Sequence, residues 1–433
     1  MTMSGLGNFL AAGAEAGRGG GHSAVGAILD AVRQHLGMEI AFASRYVGDE
    51  REFTHLSADI PLPSAPGDRE PVDQSYCWHI LNGRLPELIH DAADFPFAQT
   101  LPISAALPVG AHISVPLRLA DGSVYGSFCC LSRSPDRSLT ERDLATVRAF
   151  ADLAAAQIAL GEDEARRRAA IVARTRTAIT GGEPTIHLQP IHRLDAGATV
   201  GAEALARFPD WRDRPPNLWF EEAFDVGLGV ALELAAAERA LAALPFVPKG
   251  QYLSVNVSPA TLLSGQLEAL VKSHRRDRLV IEITEHARVA DHDALRRALA
   301  PLRDHARIAI DDVGAGYAGL QTIIAFAPDI LKLDMSLTRG IDGDPAKRAL
   351  AVALVRFASE IGSTIVAEGI EREAERDVLL GLGVAYGQGW AFSKAMPVVS
   401  AQQRMLGLDL TRAQDVADPA APPEALLKRA GRC

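Results

Sequence analysis

From Thr185 onward, short apolar runs alternate with stretches of helical periodicity, and this alternation limits the possible folds more than any other feature of the chain. The apolar runs are TIHLQPI, TVGAEALARF, YLSVNVS, LVIEITE, RIAIDDVG, DILKLD, TIVAEGI and GQGWAF. Strands separated by helices are typical of a largely parallel sheet covered by those helices. Eight such units in about 225 residues favour a (β/α)8 barrel over an open sheet. The predicted fold class is therefore α/β, with a TIM-like barrel in the second half.

The first part of the chain has a mixed pattern. AVGAILDAVRQHLGM has helical spacing, whereas IAFASRYV, HISVPLRL and VYGSFCCLS resemble strands. The Asp121-Gly122 pair between the last two strands predicts a hairpin. ERDLATVRAFADLAAAQIAL, followed by GEDEARRRAAIVARTRTAI, predicts one long connecting helix. We therefore expect an α+β domain joined to the barrel by a helix.

These patterns divide the chain into five predicted segments. They are a flexible N-terminus at 1–20, an α+β domain at 21–160, a helical linker at 161–180, the barrel at 181–412 and a disordered tail at 413–433. The first segment is rich in Gly and Ala and has no basic stretch ahead of an apolar core, so it does not resemble a signal peptide. The tail contains ADPAAPPEA, a composition typical of disorder.

Charge and cysteine content exclude several classes of protein. Lys and Arg number 44 against 54 Asp and Glu, a net charge of −10. Such a chain has no general positive field to hold a DNA or RNA polymer or an anionic membrane, so we expect neither partner. The cysteines Cys77, Cys129, Cys130 and Cys433 lack CxxC spacing and are too few for a disulfide framework. We therefore expect a reducing, cytoplasmic location.

Polar side chains occur near the ends of the predicted barrel strands. They are Gln189, Glu203, Asn256, Glu282, Asp311 with Asp312, Glu368 and Gln388, and the remaining strand carries Lys332. Strand ends converge on one face of a barrel, where active sites lie. A single acidic residue there could be a helix cap or a solvated loop residue. Several carboxylates that converge repel one another unless they are protonated or bind cations.

The chemistry of these side chains indicates which cation they would bind. The predicted ligands are all oxygen atoms, which favours Mg²⁺ or Mn²⁺ over zinc. Neighbouring residues on a regular strand point to opposite faces, so Asp311 and Asp312 can both reach the site only where their strand ends. One could then bridge two ions while the other completes the second, and a pair of ions suits phosphodiester cleavage.

The barrel half resembles the EAL domain family, bacterial phosphodiesterases that open cyclic di-GMP to the linear dinucleotide pGpG. The resemblance spans roughly Thr185 to Leu408 and begins with Glu203-Ala204-Leu205. It also includes LQPI, SVNVSP, EITE, DDVGAGYAGL, LKLD, AEGIE and GQGWAF in order along the chain. Because several ordered motifs match, the resemblance does not depend on the tripeptide alone.

The resemblance implies roles for individual residues. It assigns Glu203, Asn256, Glu282 and Asp311 to one Mg²⁺ or Mn²⁺ ion, and Asp311, Asp312 and Glu368 to a second. Glu368 would also take part in catalysis. Lys332 would be the catalytic lysine, steadied by Asp334, although an interior lysine paired with Asp334 for packing alone is the alternative. Gln189, Leu205, Arg207 and Gln388 would contact the substrate, with Arg207 able to bind a phosphate oxygen.

One loop departs from the family pattern. The family usually has DDFGTGYSSL where this chain has DDVGAGYAGL, so Val313, Ala315, Ala318 and Gly319 replace a Phe, a Thr and two Ser. In the family this loop links the metal site to the dimer interface, and a glutamate matching Glu285 supports it. The predicted ligands are retained while hydroxyl groups are lost. Catalysis is therefore expected, and the coupling between subunits is the step most open to change.

The first domain resembles a GAF domain, a class of sensory and dimerising module. HISVPLRLADGSVYGSFCCLS and the helix that follows it carry this resemblance. Cys77 and His90 raise the question of haem, metal or bilin, but a buried cysteine and a surface histidine are the simpler explanation. Cys129 and Cys130 should point to opposite faces of one strand and serve packing. The GAF ligand stays unknown.

These observations leave more than one function for the barrel. The predicted function is metal-dependent hydrolysis of cyclic di-GMP to pGpG, regulated by the GAF-like domain. The alternative is a cyclic di-GMP receptor that does not hydrolyse it, and a third is a module that acts through protein contacts alone. Barrels of this family generally work as dimers, and the long helix offers a second contact between chains. A parallel homodimer is therefore expected.

Overall fold

A computed structural model describes residues 24–408, except 63, 211–213, 284–291, 315–322 and 325. It divides into two compact units between Arg167 and Arg168, and each unit is described by itself. The predicted flexible N-terminus at 1–20 and disordered tail at 413–433 lie outside the described residues.

The first unit contains an antiparallel sheet. Its strands are β1 (Ile40–Val47), β2 (Glu50–Ala58), β3 (Arg69–Pro71), β4 (Leu88–Ile89), β5 (Ala111–Arg118) and β6 (Val124–Ser132). They are arranged in the order β3-β2-β1-β6-β5-β4. The predicted hairpin joins β5 to β6 and is confirmed. Gly122 in its turn has a φ of 83°, a conformation that glycine adopts without strain.

Helices cover both faces of this sheet. They are α1 (Ala24–Leu36), α2 (Tyr76–Leu81), α3 (Pro96–Gln99), α4 (Pro102–Ala106) and α5 (Glu141–Thr180), with 3-10 turns at Val72–Gln74 and Ala92–Asp94. Leu29 of α1 and Val147 of α5 share one apolar core with Phe128 of β6. The opposite face packs Phe42 and Cys129 against Cys77 of α2. The long helix predicted after β6 is confirmed as the continuous α5.

Among the described residues, α5 is the one helix long and apolar enough to cross a membrane by length and composition. This is weak evidence for a membrane span, because Leu144, Val147 and Ile158 of α5 pack into the core of the first unit. Core helices of this length and composition pass the same test.

The second unit is a closed barrel. Its strands are β7 (Thr185–Arg193), β8 (Thr199–Arg207), β9 (Tyr252–Val257), β10 (Leu279–Ile283), β11 (Arg307–Val313), β12 (Ile330–Leu333), β13 (Thr364–Ala367) and β14 (Tyr386–Gly387), with β15 (Met396–Pro397) added beside β7. Pairing of β14 with β7 closes the ring. The predicted TIM-like barrel, preceded by an α+β GAF-like domain, is confirmed.

Two strand predictions need correction. β7 runs antiparallel to both of its barrel neighbours, because only the five residues 194–198 connect it to β8, too few for a parallel crossover. The last predicted strand, GQGWAF, is strand only to Gly387. The chain then turns, with the amides of Phe392 and Ser393 bonded to the Gly389 carbonyl at 3.1 and 3.0 Å.

Helices surround the barrel between its strands. They are α6 (Pro216–Asp225), α7 (Gly229–Ala242), α8 (Pro259–Leu263), α9 (Leu267–Val271), α10 (His292–Leu299), α11 (Met335–Thr338), α12 (Pro345–Glu360), α13 (Glu373–Gly381) and α14 (Val398–Met405), with 3-10 turns at Leu244–Phe246 and Ala300–Asp304. Outward-facing strand residues such as Ile281, Ile310 and Leu331 pack against these helices. This packing fixes the directions in which the strands end.

Candidate active site

Strand alternation places the polar side chains inside one mouth of the barrel. Val280, Ala309, Ile330 and Val366 form an apolar cluster within the ring. Side chains two residues apart on a strand share a face. The residues two positions further on are Glu282, Asp311, Lys332 and Glu368. A plug of apolar side chains therefore lies below a layer of charged ones.

Lys332 is the centre of this charged layer. Its side chain is 1% exposed. The Nζ atom lies 2.7 Å from Glu282 Oε2, 2.7 Å from Glu368 Oε1, 3.2 Å from Asp311 Oδ1 and 3.5 Å from Glu203 Oε2. Burial lowers the pKa of an ammonium group, but these four carboxylates outweigh burial and raise the pKa of Lys332 well above 10.5. The lysine is therefore protonated and faces more negative charge than it can neutralise.

Glu203 is held by amide groups from two other strands. Asn256 Nδ2 donates to its Oε1 at 2.8 Å, and Gln388 Nε2 donates to its Oε2 at 2.6 Å. Burial raises the pKa of Glu203, but the charge of Lys332 and these hydrogen bonds lower it below 4.5. Gln388 Nε2 also donates to Glu368 Oε1 at 2.9 Å. The two amide side chains therefore favour the ionised form of Glu203, and Gln388 links it to Glu368.

The ionised forms of the other two glutamates, Glu282 and Glu368, are unfavourable in this layer. Burial, together with Glu203 and Asp311, raises the pKa of Glu282 to about 8 even though Lys332 opposes the rise. Burial is also the largest cause that raises the pKa of Glu368 well above 4.5, with Asp311 and Glu203 adding to it. A single ammonium group does not compensate these carboxylates, so the site favours additional positive charge.

Asp311 and Asp312 lie near the carboxyl end of strand β11, where the backbone is irregular. The register between β11 and β12 shifts between Ile310 and Val313, and Asp312 has a φ of 57°. The Asp312 amide donates to Asp311 Oδ1 at 3.0 Å. This departure from strand geometry allows neighbouring aspartates to serve the same mouth, as their position at a strand end predicted.

Two groups of carboxylates in this layer could hold cations. Oxygen atoms of Glu203, Glu282 and Asp311 lie within 4.8 Å of one another, and so do those of Asp311, Asp312 and Glu368. Asp311 belongs to both groups. Asn256 Oδ1 and Gln388 Oε1 are buried without a hydrogen-bond partner among the described residues. An all-oxygen donor set with uncommitted amide oxygens suits hard divalent cations.

A cleft of about 250 Å³ opens beside these residues. Gln189, Leu205 and Gln388, all predicted to contact substrate, line it together with Glu203 and Glu368. Gln189 lies opposite Glu203 in the β7–β8 pairing, and its Nε2 donates to the Ser393 carbonyl at 3.3 Å. The cleft therefore connects the charged layer to solvent.

Sequence reasoning missed other residues that line this cleft. They are Met335, Arg339, Gly369, Glu371, Gly389 and Trp390. Trp390 is 61% exposed, and Lys394 Nζ lies 4.6 Å from the centre of its ring. Arg339 pairs with Glu371 at 2.6 Å. Trp390 lies within the GQGWAF motif, which could have indicated it. Met335 begins α11 and Arg339 directly follows that helix, and neither has a comparable sequence signal.

Gly389 is required next to Gln388 by a close approach of two backbone segments. A Cβ atom at position 389 would lie 2.1 Å from the Ile370 carbonyl oxygen. Gln388 itself donates its backbone amide to the Ala367 carbonyl at 2.9 Å. The glycine therefore lets the turn pack against the segment that follows β13, and Gln388 reaches Glu368.

Two predicted residues are placed elsewhere, and a third lies outside the described residues. Asp334 caps α11, with its Oδ1 accepting from the Ser336 amide at 2.8 Å, and it is not among the four carboxylates that pair with Lys332 in the described chain. Its predicted contact with Lys332 is thus replaced by a helix cap. Arg207 Nη1 donates to the Ala206 carbonyl at 2.8 Å, and Arg207 is absent from the described lining of the cleft. Glu285 lies outside the described residues, as do Ala315, Ala318 and Gly319.

The cysteine and histidine noted in the first unit lie apart. Cys77 is buried, whereas His90 is half-buried rather than on the surface, with Nε2 2.9 Å from the Leu139 carbonyl oxygen. Cys129 and Cys130 occupy opposite faces of β6, as alternation predicted. Cys129, however, contacts Cys77 rather than only apolar side chains.

Comparison with known proteins supports the division of the chain into these folds. An EAL domain model matches residues 172–395 and a GAF domain model matches residues 21–158. An uncharacterised signalling protein of Caulobacter vibrioides is 30% identical over 396 residues, which cover 87% of this chain and 45% of that protein. The cyclic di-GMP phosphodiesterase RocR of Pseudomonas aeruginosa is 30% identical over 236 residues, 51% of this chain and 59% of RocR.

A solved structure covers most of this chain. It is that of the EAL enzyme Bd1971 in its cAMP and cyclic-di-GMP bound form, 18% identical, with a TM-score of 0.52, covering 85% of this chain and 93% of that one. At this identity the likeness concerns the fold alone. The chain spans about half the length of the first curated relatives it matches. The EAL model covers more than half of the chain, and the chain therefore belongs to the EAL domain family, with a GAF domain ahead of its barrel.

Proposed function

We propose that this protein is a metal-dependent phosphodiesterase that hydrolyses cyclic di-GMP to linear pGpG. The observation that carries this proposal is the pair of carboxylate groups that share Asp311 and surround Lys332. A relative that matches the barrel is named a cyclic di-GMP phosphodiesterase, which supports the choice of substrate. The four carboxylates around Lys332 support hydrolysis, whereas a receptor needs nucleotide binding alone.

The proposed ligands are those predicted from the family. Glu203, Asn256, Glu282 and Asp311 would hold one Mg²⁺ or Mn²⁺ ion, and Asp311, Asp312 and Glu368 a second. Support comes from the grouped carboxylates and from the buried Asn256 Oδ1 that has no described partner. When bound, such cations neutralise phosphate charge and make water a stronger nucleophile near neutral pH. They also allow an anionic dinucleotide to approach a layer that is otherwise strongly negative.

Chain residues would complete the reaction. The Lys332 ammonium can donate hydrogen bonds to a phosphoryl oxygen as negative charge develops on it. Glu368 can orient the attacking water and accept its proton. Gln388 holds Glu203 and Glu368 in place through its Nε2. Its Oε1 has no hydrogen-bond partner among the described residues and could bind a water or substrate atom. Gln189, Leu205 and Arg207 are proposed to contact the nucleotide, while Asp334 orders α11 behind Lys332.

Product analysis with a matched pair of variants tests this function. The full chain is incubated with cyclic di-GMP and Mg²⁺ or Mn²⁺, and the products are separated and identified by mass. We expect pGpG from the wild type, and a loss of about a hundredfold or more in rate for Glu203→Ala, which removes a proposed ligand. Glu238→Ala, an exposed glutamate of α7, should keep the wild-type rate. Near wild-type hydrolysis by Glu203→Ala would contradict the metal assignment.

The first unit is proposed to regulate the barrel and to dimerise. Leu153 and Leu160, seven residues apart on α5, are 52% and 63% exposed. Apolar residues at this spacing form the contact stripe of paired helices. We therefore propose a parallel homodimer that forms in part through α5, with the GAF domain altering hydrolysis through it. The free Cys77, Cys129 and Cys130 support a reducing, cytoplasmic location.

A further inference from the structure

A second cluster of reactive side chains lies in the first unit. Cys77 of α2 and Cys129 of β6 are 2% and 0% exposed. Their Sγ atoms are 2.9 Å apart, although 52 residues separate them in sequence. Ser114 Oγ of β5 lies 3.2 Å from Cys129 Sγ. The two thiols therefore face each other between α2 and the sheet.

A buried arginine distinguishes the two thiols. Arg51 Nη1 donates to Cys77 Sγ at 3.1 Å, and Arg51 also pairs with Glu70. Its guanidinium group lies over the rings of Phe42 and Phe53, at 5.2 and 4.6 Å from their centres. These contacts hold a positive charge against one sulfur atom in an apolar environment. A thiolate is the natural partner for that charge.

The pKa directions agree with this geometry. Burial raises the pKa of Cys77, but the contact with Cys129, the charge of Arg51 and the neighbouring His112 outweigh burial and lower it well below 9.0. Burial and the contact with Cys77 raise the pKa of Cys129 well above 9.0. Cys77 is therefore the more acidic of the two thiols, as its contact with Arg51 implies.

A small apolar cavity lies next to Cys77 and could hold a reactant. Its volume is about 50 Å³, and Cys77, Arg51 and His112 form its buried floor. Half-buried side chains line its outer part: Leu56, Leu62, Ser64, Ile103, Leu107 and Val109. Pockets for drug-sized ligands occupy several hundred cubic ångströms, about 300 or more, and one water occupies about 30 Å³. The cavity therefore admits a molecule of a few heavy atoms.

We propose that Cys77 and Cys129 are a dithiol site for a small peroxide. The Cys77 sulfur attacks one peroxide oxygen, the O–O bond breaks, and the leaving oxygen takes a proton from solvent as water. Cys77 is then a sulfenic acid. The Cys129 sulfur attacks the Cys77 sulfur and loses its proton, and the displaced hydroxyl leaves as a second water. Two thiols are oxidised to a disulfide that joins α2 to β6, and one peroxide is reduced to two waters.

A metal site fits the same atoms less well. Cys77, His112 and Cys129 offer ligand atoms within 4.8 Å of one another. Two sulfurs bound to one tetrahedral zinc lie about 3.8 Å apart, from Zn–S bonds of about 2.3 Å. The observed separation is 2.9 Å, and Arg51 would repel a cation beside Cys77. Dithiol chemistry therefore accounts for the arrangement better than metal binding.

Thiol mapping of the full chain tests the proposal. Reduced protein is treated with one equivalent of hydrogen peroxide, denatured in an alkylating reagent and digested for mass analysis. We expect a peptide pair joined through Cys77 and Cys129, formed at least about tenfold faster than any oxidation of Cys130. Cys130→Ser is the matched control, because Cys130 lies on the other face of β6 and its pKa is raised to about 12 by burial. It should leave the joined pair unchanged, and so should Cys433→Ser.

The same experiment has possible outcomes that would contradict the proposal. Alkylation of both Cys77 and Cys129 after peroxide would overturn the proposal, and so would a Cys77 sulfenic acid that never joins Cys129. Stoichiometric zinc in the purified wild type, lost in Cys77→Ser, would assign the thiols to a metal instead. Because the wild-type map alone decides between joined and separate cysteines, the test stands even if a cysteine variant does not fold.

Discussion

Lys332 is the residue whose role follows most directly from its surroundings. Four carboxylates face its ammonium group, two of them at 2.7 Å. The side chain is buried, so its charge acts through a medium that screens weakly. A donor fixed in this way contributes more as a phosphoryl oxygen gains negative charge than it does in the ground state.

Replacement of Lys332 should therefore affect turnover more than substrate binding. For Lys332→Ala we expect kcat to fall by about 10²- to 10³-fold with a smaller change in KM. Steady-state kinetics with saturating Mn²⁺ measure both parameters. Lys394→Ala, which changes an exposed lysine beside Trp390, should leave kcat largely unchanged. A loss confined to KM for Lys332→Ala would mean that the lysine only binds substrate.

Some residues of the site could be predicted from sequence because strand periodicity fixes them. Glu282, Asp311, Lys332 and Glu368 follow interior apolar residues at a spacing of two, so one barrel assignment places all four. The contact of Asp334 could not be predicted in this way. Its strand ends at Leu333, and its carboxylate caps the next helix instead of continuing the alternation.

The contact between Cys77 and Cys129 could not be predicted from the sequence, for a different reason. Cys77 and Cys129 are 52 residues apart and meet because α2 folds over one face of the sheet. Alternation alone correctly separates Cys129 from Cys130. It contains no information about which helix covers that face, so neither the partner of Cys129 nor the contribution of Arg51 follows from spacing.

At the scale of elements, the orientation of strands was predictable only in part. The eight strands follow from the repeated apolar runs, but the reversed direction of β7 depends on the short 194–198 connection. Because β7 is reversed, Gln189 reaches the mouth from the middle of a strand rather than from its carboxyl end. The register opposite Glu203 places it there.

Helix α13 is tied to the segment that carries Glu368 by a single buried carboxylate. Glu375 is 2% exposed and accepts from the amides of Glu371 and Arg372 at 2.9 and 3.0 Å, and from Gly340 at 2.8 Å. Burial alone would raise its pKa, but these donors and the Arg372 side chain lower it to about 2. The ionised form therefore stabilises the folded barrel.

Glu375→Gln should remove that stabilisation. We expect a loss of about 2–3 kcal/mol in the free energy of unfolding at neutral pH, because the amide NH₂ group faces backbone N–H donors. The folded pKa is depressed, so the contribution is present above 4.5, the ordinary pKa, and is lost as pH falls towards about 2. Denaturant titrations of the wild type and the variant between about pH 3 and 7 measure the difference in their free energies of unfolding.

Glu373→Gln provides the comparison for this prediction, because Glu373 is exposed on the first turn of the same helix. Its expected cost is only a few tenths of a kcal/mol, roughly the value of a helix-dipole interaction. Equal effects of the two substitutions, or a difference that does not shrink as the pH falls, would show that ionised Glu375 does not stabilise the barrel in this way.

At the scale of the whole molecule, the proposed dimer depends on α5. Replacing Leu153 and Leu160 together by Lys should place charge in the contact stripe and shift the protein towards monomer. Sedimentation velocity at micromolar concentration measures this shift. If the GAF domain regulates the barrel through the dimer, the rate of cyclic di-GMP hydrolysis should change in the same variant.

Leu263→Lys is the matched control, since Leu263 is 51% exposed on α8 of the barrel unit. It should preserve both the association state and the rate. A wild-type chain that sediments as a monomer would refute the dimer. If the rate of hydrolysis is the same in monomer and dimer, the GAF domain does not regulate the barrel through dimerisation.

The central claim is that the charged layer around Lys332 turns over cyclic di-GMP with divalent cations, and counting turnovers tests it most directly. The full chain is mixed with a large excess of cyclic di-GMP and Mn²⁺, then with a chelator, then with Mn²⁺ again. We predict many equivalents of pGpG per chain, none during chelation, and recovery when Mn²⁺ returns. Cyclic di-GMP that binds once per chain and is recovered intact in the presence of Mn²⁺ would contradict the account and identify a receptor.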